Sequence, residues 1–338
     1  MKIKAFPNSS GSGQWRVTHP MKYLARLGHT VSIKTSDVGA TTTPEELLGY
    51  DIIIPQGIID LEALKLILAI KRDYGTKIIL DFDDMIEVTE DNPHYKDHKI
   101  WDASPILQSF AKFADGITTT NEHLATYLKK FNKNVFIIPN YMDMEYWKMP
   151  IKKNETDKIR LCYVGSVTHL LDIEMIAPAL KEILTKYKDK VELLMVGDLR
   201  WREVFKNFTN VDCFLGVPFD SYSLRLNGLG MDIGIAPLRD NNFNRCKSNI
   251  KFLENTIAGG VTVASPTVYS KTIKNGKNGF IAKNNDEWVK YLSLMIEDAT
   301  LRKNIWQKAY SEVVGTYSLE KNIKKWESVY KLILNGYN

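Results

Sequence analysis

Three charged residues in one short segment are of the right types to bind a diphosphate and a ribose. Lys247, Lys251 and Glu254 are separated by four and three residues, so in a helix they share one face. Free backbone N–H groups at a helix N-terminus and two ammonium groups favour a diphosphate. A carboxylate one turn further on accepts hydrogen bonds from two ribose hydroxyls. The segment indicates half of a nucleotide-diphosphate site; a solvated helix face with an internal Lys–Glu pair is the plainer alternative.

The elements around this segment follow a strand, loop, helix, strand order. An apolar strand at Ile233–Ala236 is followed by a polar loop, and a helix is predicted at Asn249–Ala258. Ser248 is expected to cap that helix and so to lie at the same diphosphate site. The pair Gly259-Gly260 ends the helix before a buried strand at Val261–Ser265.

Three aspartates end the predicted fourth strand. Asp81, Asp83 and Asp84 lie in ILDFDDMIE, and carboxyl ends of parallel strands are where active-site groups sit. One or more of them can orient an acceptor hydroxyl or stabilise positive charge on a sugar ring, and we treat all three as catalytic candidates together with Lys247 and Lys251. A DxD pattern can also hold a divalent cation. Because the lysines already supply the counter-charge, we expect no metal; capping and surface solvation are the structural alternative.

Two glycine-containing turns complete the candidate donor site. Gly11-Ser12-Gly13 lies between the first predicted strand and the helix after it, and glycines there let backbone N–H groups approach a ligand closely. Gly165-Ser166 is the equivalent turn in the second half of the chain. His169 lies just beyond it and can hydrogen-bond phosphate or sugar. Ordinary turns and a structural histidine are the alternatives.

Composition restricts the protein class without choosing a ligand. The chain has 338 residues, 44% of them apolar and 25% charged, with a net charge of +5, which fits an ordinary globular protein with an anionic substrate, a membrane surface or nucleic acid as partner. The three cysteines are far apart and are expected to be reduced, as in a cytoplasmic protein. We find no signal peptide and no apolar run long enough for a membrane span, which leaves peripheral membrane attachment open.

Strand and helix patterns alternate along nearly the whole chain, which predicts an α/β fold with parallel, doubly wound sheets. The pattern breaks at 139–157, a polar stretch that we interpret as a linker. The predicted strands in the first half are Lys2–Phe6, Val31–Lys34, Asp51–Pro55, Lys77–Asp81, Gly116–Thr119 and Val135–Ile138. Those in the second half are Arg160–Val164, Val191–Val196, Val211–Leu215, Ile233–Ala236, Val261–Ser265 and Gly279–Ile281.

These patterns predict two Rossmann-like domains that face each other across a cleft. Residues 1–145 form the first and residues 158–315 form the second. The tail is helical, and in residues 316–338 its apolar stripe is expected to pack back on the first domain.

The order of these motifs resembles that of the retaining GT-B glycosyltransferases, the glycosyl transferases group 1 that includes glycogen synthase and sucrose synthase. The resemblance covers essentially the whole chain, and the stretch that begins at Glu254 matches the nucleotide-binding stretch of that family. The matching motifs are PNSSGSGQW at 7–15, FIIPNYMD at 136–143, LCYVGS at 161–166, LLMVGD at 193–198 and ENTIAGGVTVAS at 254–265.

Two positions depart from the family pattern. Cys246 stands where many members have a second glutamate that contacts the donor sugar, so another group has to replace that contact; Asn244, Arg245 or backbone groups are the candidates. Gly259-Gly260-Val261 stands where many members have Gly-Pro before the last strand, which changes backbone conformation more than chemistry.

The resemblance implies transfer of a sugar from a nucleotide-diphosphate sugar, UDP- or GDP-linked, to an acceptor hydroxyl with retention of anomeric configuration and without a cofactor. It implies ribose recognition by Glu254, with residues 1–145 on the acceptor side and residues 158–315 as the domain that binds the nucleotide sugar. The acceptor stays open among a glycan, a lipid, a protein and a modified nucleic-acid base, and we expect a monomer or weak dimer. A two-lobed sugar- or nucleotide-binding protein without catalysis is the alternative function.

Overall fold

The computed structural model describes residues 1–8, 11–34, 42–57, 60–88, 90, 95–100, 103–148 and 157–336. The chain divides into two compact units. Unit 1 comprises Met1–Asp143, Arg245–Ser248 and Ser318–Asn338, and unit 2 comprises Met144–Asn244 and Asn249–Tyr317. Residues 149–156 of the predicted linker, and Ser9 and Ser10 of the predicted glycine loop, lie outside the described residues.

Unit 1 is built on a six-stranded sheet in the order β2-β1-β3-β4-β5-β6, with every described neighbouring pair parallel. The strands β3 and β5 are buried along their whole length, as strands covered on both faces must be. The strands are β1 (Lys2–Phe6), β2 (Thr30–Ile33), β3 (Ile52–Pro55), β4 (Lys77–Phe82), β5 (Gly116–Thr119) and β6 (Val135–Ile137).

Helices cover the unit 1 sheet and are set by local capping. Asp60 accepts hydrogen bonds from the backbone N–H groups of Glu62 and Ala63 at the start of the helix Leu61–Tyr74, and Gly75, at φ 69°, ends it. The other helical segments are Gly11–Gly13, a π-helical turn at Gln14–Thr18, His19–Arg26, a 3₁₀ turn at Pro44–Leu47, Tyr95–Ile100, Ala103–Phe113, Glu122–Leu128, Leu319–Asn322 and Lys324–Leu334.

Unit 2 has a second parallel six-stranded sheet, in the order β12-β11-β10-β7-β8-β9. Its first strand, β7, lies between β8 and β10, so the direction of winding reverses between β7 and β10. This is the doubly wound order of dinucleotide-binding sheets. The strands are β7 (Ile159–Val164), β8 (Val191–Gly197), β9 (Val211–Leu215), β10 (Ile233–Ala236), β11 (Val261–Ala264) and β12 (Phe280–Ile281).

The helices of unit 2 connect these strands and pack on both faces. Asn284 and Asp298 cap two of them with side-chain oxygens. Among the described residues, none of the helices has the length and apolar character that a bilayer span needs. The helical segments are Val167–His169 (3₁₀), Leu170–Lys186, Trp201–Val204, Phe219–Ser221 (3₁₀), Tyr222–Gly228, Asn242–Arg245, Ile250–Ile257, Pro266–Tyr269, Asn285–Glu297 and Ala299–Thr316.

A buried ion pair lies within unit 1, between Arg16 on the π-helical turn and Asp81 on β4. The guanidinium donates to both carboxylate oxygens, with Nη2–Oδ2 at 2.8 Å, and both side chains are nearly inaccessible to solvent. Arg16 also donates to the Ile138 carbonyl oxygen at 2.5 Å and to Asn140 Oδ1 at 3.1 Å. Thr118 Oγ1 donates to Asp81 at 2.7 Å. The pair thus joins the first helix to β4, β5 and the segment after β6.

The last helix, Lys324–Leu334, belongs to unit 1. Trp326 is fully buried; its ring lies 5.6 Å from the Arg16 guanidinium and 5.8 Å from the Tyr141 ring. The Leu319 backbone N–H donates to the Met142 carbonyl at 2.9 Å. The tail therefore closes over the same part of unit 1 that the buried ion pair holds.

Removing Asp81 should destabilise unit 1, because Arg16 would keep a buried charge with no counter-ion. For Asp81→Ala we expect a loss of about 3–5 kcal/mol in the free energy of unfolding. Urea denaturation followed by circular dichroism measures it. Asp73→Ala is the control, because the Asp73 carboxylate pairs with an exposed arginine at the surface. Equal stability of the two variants would contradict the structural role of the ion pair.

Candidate functional site

The carboxyl ends of β7 and β8 meet in unit 2 through two glycines. A Cβ on Gly197 would lie 1.7 Å from the Gly165 carbonyl oxygen, and a Cβ on Gly165 would lie 2.5 Å from the Tyr163 hydroxyl. Neither position accommodates a side chain. Because the winding reverses between β7 and β10, a ligand crevice is expected beyond this end of the sheet. Gly165-Ser166 forms the turn that the sequence predicts there, and Ser166 Oγ lies 2.7 Å from Thr168 Oγ1.

Lys251 lies on the first turn of the helix Ile250–Ile257 and reaches back to β7. Its Nζ donates to the Val164 carbonyl oxygen at 2.5 Å and lies 5.4 Å from the Tyr163 ring centroid. The ammonium is half-buried. A positive charge is therefore held at the end of the strand that precedes the Gly165-Ser166 turn.

Glu254 is on the same helix and is buried, with 5% of its surface exposed. The Tyr222 hydroxyl donates to its carboxylate. Burial raises the pKa of Glu254, while the charge of Lys251 and the Tyr222 hydrogen bond oppose that rise. A solvated helix-surface glutamate is therefore the wrong description of this residue. A buried acceptor with one donor already placed has capacity for further hydroxyl groups.

Aromatic rings lie beside Glu254. Phe219 stacks on Tyr146, with ring centroids 4.7 Å apart, and on Tyr222, at 6.1 Å. The Tyr146 hydroxyl donates to the Phe219 carbonyl and accepts from the Ser223 backbone N–H at 3.0 Å. The rings and hydrogen bonds fix Tyr222 and, through it, the orientation of the Glu254 carboxylate.

His169 is buried and bound to Asp172 rather than exposed on a loop. Its Nδ1 lies 2.8 Å from Asp172 Oδ2. Asp172 Oδ1 accepts from the Arg239 backbone N–H at 2.8 Å and from Asn244 Nδ2 at 3.0 Å. These contacts join the turn after β7, the segment after β10 and the helix Asn242–Arg245.

The prediction that Lys247 shares a helix face with Lys251 and Glu254 is wrong. The helix starts at Ile250, after the cap residue Asn249, so Lys247 precedes it. Lys247 belongs to unit 1, where its Nζ lies 2.9 Å from both oxygens of Asp84. The two lysines therefore do not form a single diphosphate-binding pair on one helix.

Contacts with unit 1 explain this difference. The segment Arg245–Ser248, which we call the anchor segment, is grouped with unit 1 although the chain on both sides of it belongs to unit 2. Cys246 is fully buried in the unit 1 core. The Asn121 amide donates to the Cys246 and Lys247 carbonyl oxygens at 2.7 and 2.8 Å. These bonds hold the backbone of residues 246 and 247 within unit 1, and the helix begins only at Ile250.

The prediction that Ser248 caps the helix is also wrong. Asn249 occupies the cap position and makes no side-chain capping hydrogen bond. Ser248 Oγ instead accepts a hydrogen bond from Asn140 Nδ2 at 2.9 Å, within unit 1. This hydrogen bond helps to hold the anchor segment in unit 1.

The three candidate aspartates have three different environments. Asp81 is the buried partner of Arg16 and has a structural role. Asp84 is partly exposed and paired with Lys247. Asp83 is half-buried, and its pKa is raised to about 7, first by burial and then by the neighbouring carboxylates Asp84 and Asp81, against the opposing charges of Lys247 and Arg16. The charge of Asp83 therefore changes near neutral pH.

Gly11, Ser12 and Gly13 form the first helical turn rather than a loop. The Asn8 side chain accepts from the Gly13 backbone N–H at 2.9 Å, and a Cβ on Gly13 would lie 2.1 Å from the Asn8 carbonyl oxygen. Glycine at 13 is required by the Asn8 backbone, and its N–H group is already bonded. A role for Gly11, Ser12 and Gly13 in donor binding stays a prediction.

Sequence reasoning missed several residues on which the site depends. Arg16 had no signal, since an arginine in a helical pattern reads as exposed. Asp172 is three residues after His169, a helical spacing that could have suggested the pair. Asn121 and Tyr222 act through contacts that only the fold brings together.

Within the described ranges, no group of three or more His, Cys, Asp and Glu side chains is arranged to hold a metal ion. Independence from metal and cofactor stays a prediction.

Comparison with known proteins identifies the class of fold. No family model matches the chain. An uncharacterized glycosyltransferase of Methanocaldococcus jannaschii is 24% identical over 192 residues, 55% of this chain and 48% of that protein, so the matched part spans about half the length of that relative.

Three solved structures match along nearly the whole chain. Sucrose-phosphate synthase from Thermosynechococcus elongatus has a TM-score of 0.71 at 11% identity, over 99% of this chain and 100% of that one. A glycosyltransferase from Rickettsia africae has a TM-score of 0.69 at 18% identity, over 99% of both chains. Anabaena HepE in complex with UDP and glucose has a TM-score of 0.69 at 13% identity, over 98% of this chain and 99% of that one. The chain has the GT-B type α/β fold of these glycosyltransferase structures, with two parallel six-stranded sheets, as the sequence predicts.

Asp83 should make stability fall as pH rises from about 4 to about 7. Its folded pKa of about 7 lies above its ordinary value of 3.8, so between these values the folded state binds more protons and loses stability with rising pH. Asp83→Asn should abolish this dependence and melt higher than the wild type at about pH 8, but not at about pH 4. Thermal melts across this range, with Asp73→Asn as control, test it. A wild-type melting temperature that rises from pH 5 to 8 relative to Asp83→Asn would contradict the raised pKa.

Proposed function

We propose that this protein is a glycosyltransferase that moves a sugar from a nucleotide-diphosphate sugar, UDP- or GDP-linked, to an acceptor hydroxyl. The observation that carries the proposal is the buried Glu254, with Tyr222 and Lys251 beside it, near the carboxyl end of β7 in a fold shared with glycosyltransferases. The HepE structure in complex with UDP and glucose supports a uridine nucleotide as the first donor to test.

In unit 2 the nucleotide is bound by its ribose and diphosphate. Glu254 accepts hydrogen bonds from the ribose hydroxyls, and the Tyr222 hydrogen bond orients its carboxylate for them. The diphosphate lies against the Gly165-Ser166 turn, near the N-terminus of the 17-residue helix Leu170–Lys186. Lys251 adds a fixed positive charge, which stabilises the negative charge that develops on the diphosphate as it leaves.

In unit 1 the acceptor hydroxyl is oriented by Asp83, with Asp84 and Lys247 next to it. A carboxyl group with a pKa of about 7 accepts a hydrogen bond from a hydroxyl when ionised, and it changes charge within the working pH range. The acceptor can be a glycan, a lipid, a protein or a modified nucleic-acid base. Retention of anomeric configuration is what the family resemblance implies, and the configuration of the product, observed by NMR, tests it. Metal independence stays a prediction.

Glu254→Gln should weaken UDP binding, because an amide accepts fewer hydrogen bonds from the ribose hydroxyls than a carboxylate does. We expect Kd for UDP to rise about tenfold or more. Calorimetric titration with UDP, GDP and ADP measures it. Glu182→Gln is the matched control, since Glu182 is exposed on the helix Leu170–Lys186. If Glu254→Gln binds every nucleotide as tightly as Glu182→Gln, the ribose assignment is wrong.

Lys251→Met should lower turnover more than nucleotide affinity, because its charge acts mainly on the departing diphosphate. We expect kcat to fall about 10²-fold, as for other preorganised groups that stabilise developing charge. Release of UDP from radiolabelled UDP-sugars measures it, with Lys303→Met, an exposed lysine on Ala299–Thr316, as control. Tight nucleotide binding by the wild type with no sugar transfer to any acceptor would favour the non-catalytic binding protein instead.

A further inference from the structure

Asp172 is a buried carboxylate in unit 2 whose two oxygens have separate hydrogen-bond donors. Its exposed fraction is 2%. Oδ1 accepts from the Arg239 backbone N–H at 2.8 Å and from Asn244 Nδ2 at 3.0 Å. Oδ2 faces His169 Nδ1 at 2.8 Å. Asp172 lies on the first turn of the helix Leu170–Lys186, so one carboxylate joins three segments at the end of the sheet where the winding reverses.

This arrangement sets the proton position on His169. An ionised carboxylate only accepts hydrogen bonds, so Nδ1 has to carry a proton to bond with Oδ2. In the neutral imidazole, Nε2 then has the lone pair and is the acceptor nitrogen. The amide of Asn244 is oriented independently, because its Nδ2 also donates to the Arg239 carbonyl oxygen at 3.0 Å.

We infer that Asp172 is a positioning residue of the donor site: it fixes His169 in the Nδ1–H tautomer and holds the segment after β10 in place, so that the Nε2 edge of His169 serves the donor sugar. This inference rests on the proposed function, because it takes the turn after β7 as part of the donor site. Sugar hydroxyls both donate and accept, so the tautomer of His169 selects which kind of hydrogen bond the donor makes there.

The substitution Asp172→Asn should reverse the tautomer without removing the hydrogen bonds of Asp172 to the other two segments. The amide oxygen is needed at the Oδ1 position, where two N–H donors meet, so the NH₂ group has to face His169. Nδ1 then has to accept, and the proton moves to Nε2. The side chain keeps nearly the same size and shape, so the variant should fold.

The tautomer can be measured without any enzyme activity. In a long-range ¹H–¹⁵N correlation spectrum of protein labelled at its six histidines, His169→Asn identifies the His169 signals by their absence. We expect a protonated Nδ1 in the wild type and a protonated Nε2 in Asp172→Asn. A wild-type Nε2–H tautomer, or the same tautomer in both proteins, would overturn the inference.

The kinetic test separates positioning from stability. Asp172→Asn should lower kcat/KM for the UDP-sugar about tenfold or more while circular dichroism and melting temperature stay close to the wild type. A variant with the reversed tautomer and unchanged kcat/KM would refute the positioning role. If the wild type neither binds nucleotide nor transfers sugar, the proposed function fails, whereas the tautomer measurement still stands by itself.

Two histidine variants keep the test valid if Asp172→Asn does not fold. The variant His169→Asn has an amide nitrogen that can still donate to Asp172, but it has no atom at the Nε2 position. The variant His169→Gln reaches the Nε2 position and loses the bond to Asp172. His169→Asn should therefore fold like the wild type and lose as much kcat/KM as expected for Asp172→Asn. His123→Asn, an exposed histidine on Glu122–Leu128, is the control. Wild-type kcat/KM in His169→Asn would overturn the inference.

Discussion

A carboxylate that the fold buries near the end of a parallel sheet needs hydrogen-bond donors for its oxygens. This requirement determines which segments lie together in each unit. Asp81 is matched by Arg16 and Thr118. Asp172 is matched by His169 and two N–H groups, and Glu254 by the Tyr222 hydroxyl beside the Lys251 charge. Parallel strands all end on one edge, so polar groups gather there, and an unmatched charge at that depth costs several kcal/mol. The donors therefore come from segments far apart in sequence, and matching them fixes those segments.

The carboxylates of the two units have two different roles, one structural and one in the candidate site. Asp81 has its oxygens occupied by donors of its own unit, so it stabilises the sheet and offers nothing to a ligand. Glu254 is buried and Asp83 is half-buried, and the pKa of each is raised because burial outweighs the nearby positive charge. A carboxyl group that is buried but incompletely matched gains from a ligand that supplies the missing donors. That distinction separates a structural group from a candidate site in a way that residue type alone does not.

The sheets were predictable from the sequence and parts of the site were not. The strand Ile233–Ala236 agrees with its predicted bounds, because a strand that is buried on both faces is an apolar run in the sequence. Residues Gly11–Gly13, predicted as a turn, are helical, and the Asn8 side chain accepts a hydrogen bond from the Gly13 N–H group. Helical spacing suggested that Lys247 joins Lys251, but Asn121 and the buried Cys246 hold that part of the chain in unit 1. Periodicity describes a continuous helix, and it does not detect where a tertiary contact ends one.

Cys246 is fully buried in the core of unit 1, which makes it an internal reporter of the anchor segment. Burial raises the pKa of its thiol to about 12, so almost no thiolate forms at neutral pH while the segment is seated. Cys162 and Cys213 are buried as well, and burial raises the pKa of each. Alkylation by a thiol reagent will therefore be slow in the native protein. The rate at which Cys246 is alkylated would report how often residues 245–248 detach from unit 1, and no label has to be added to the chain.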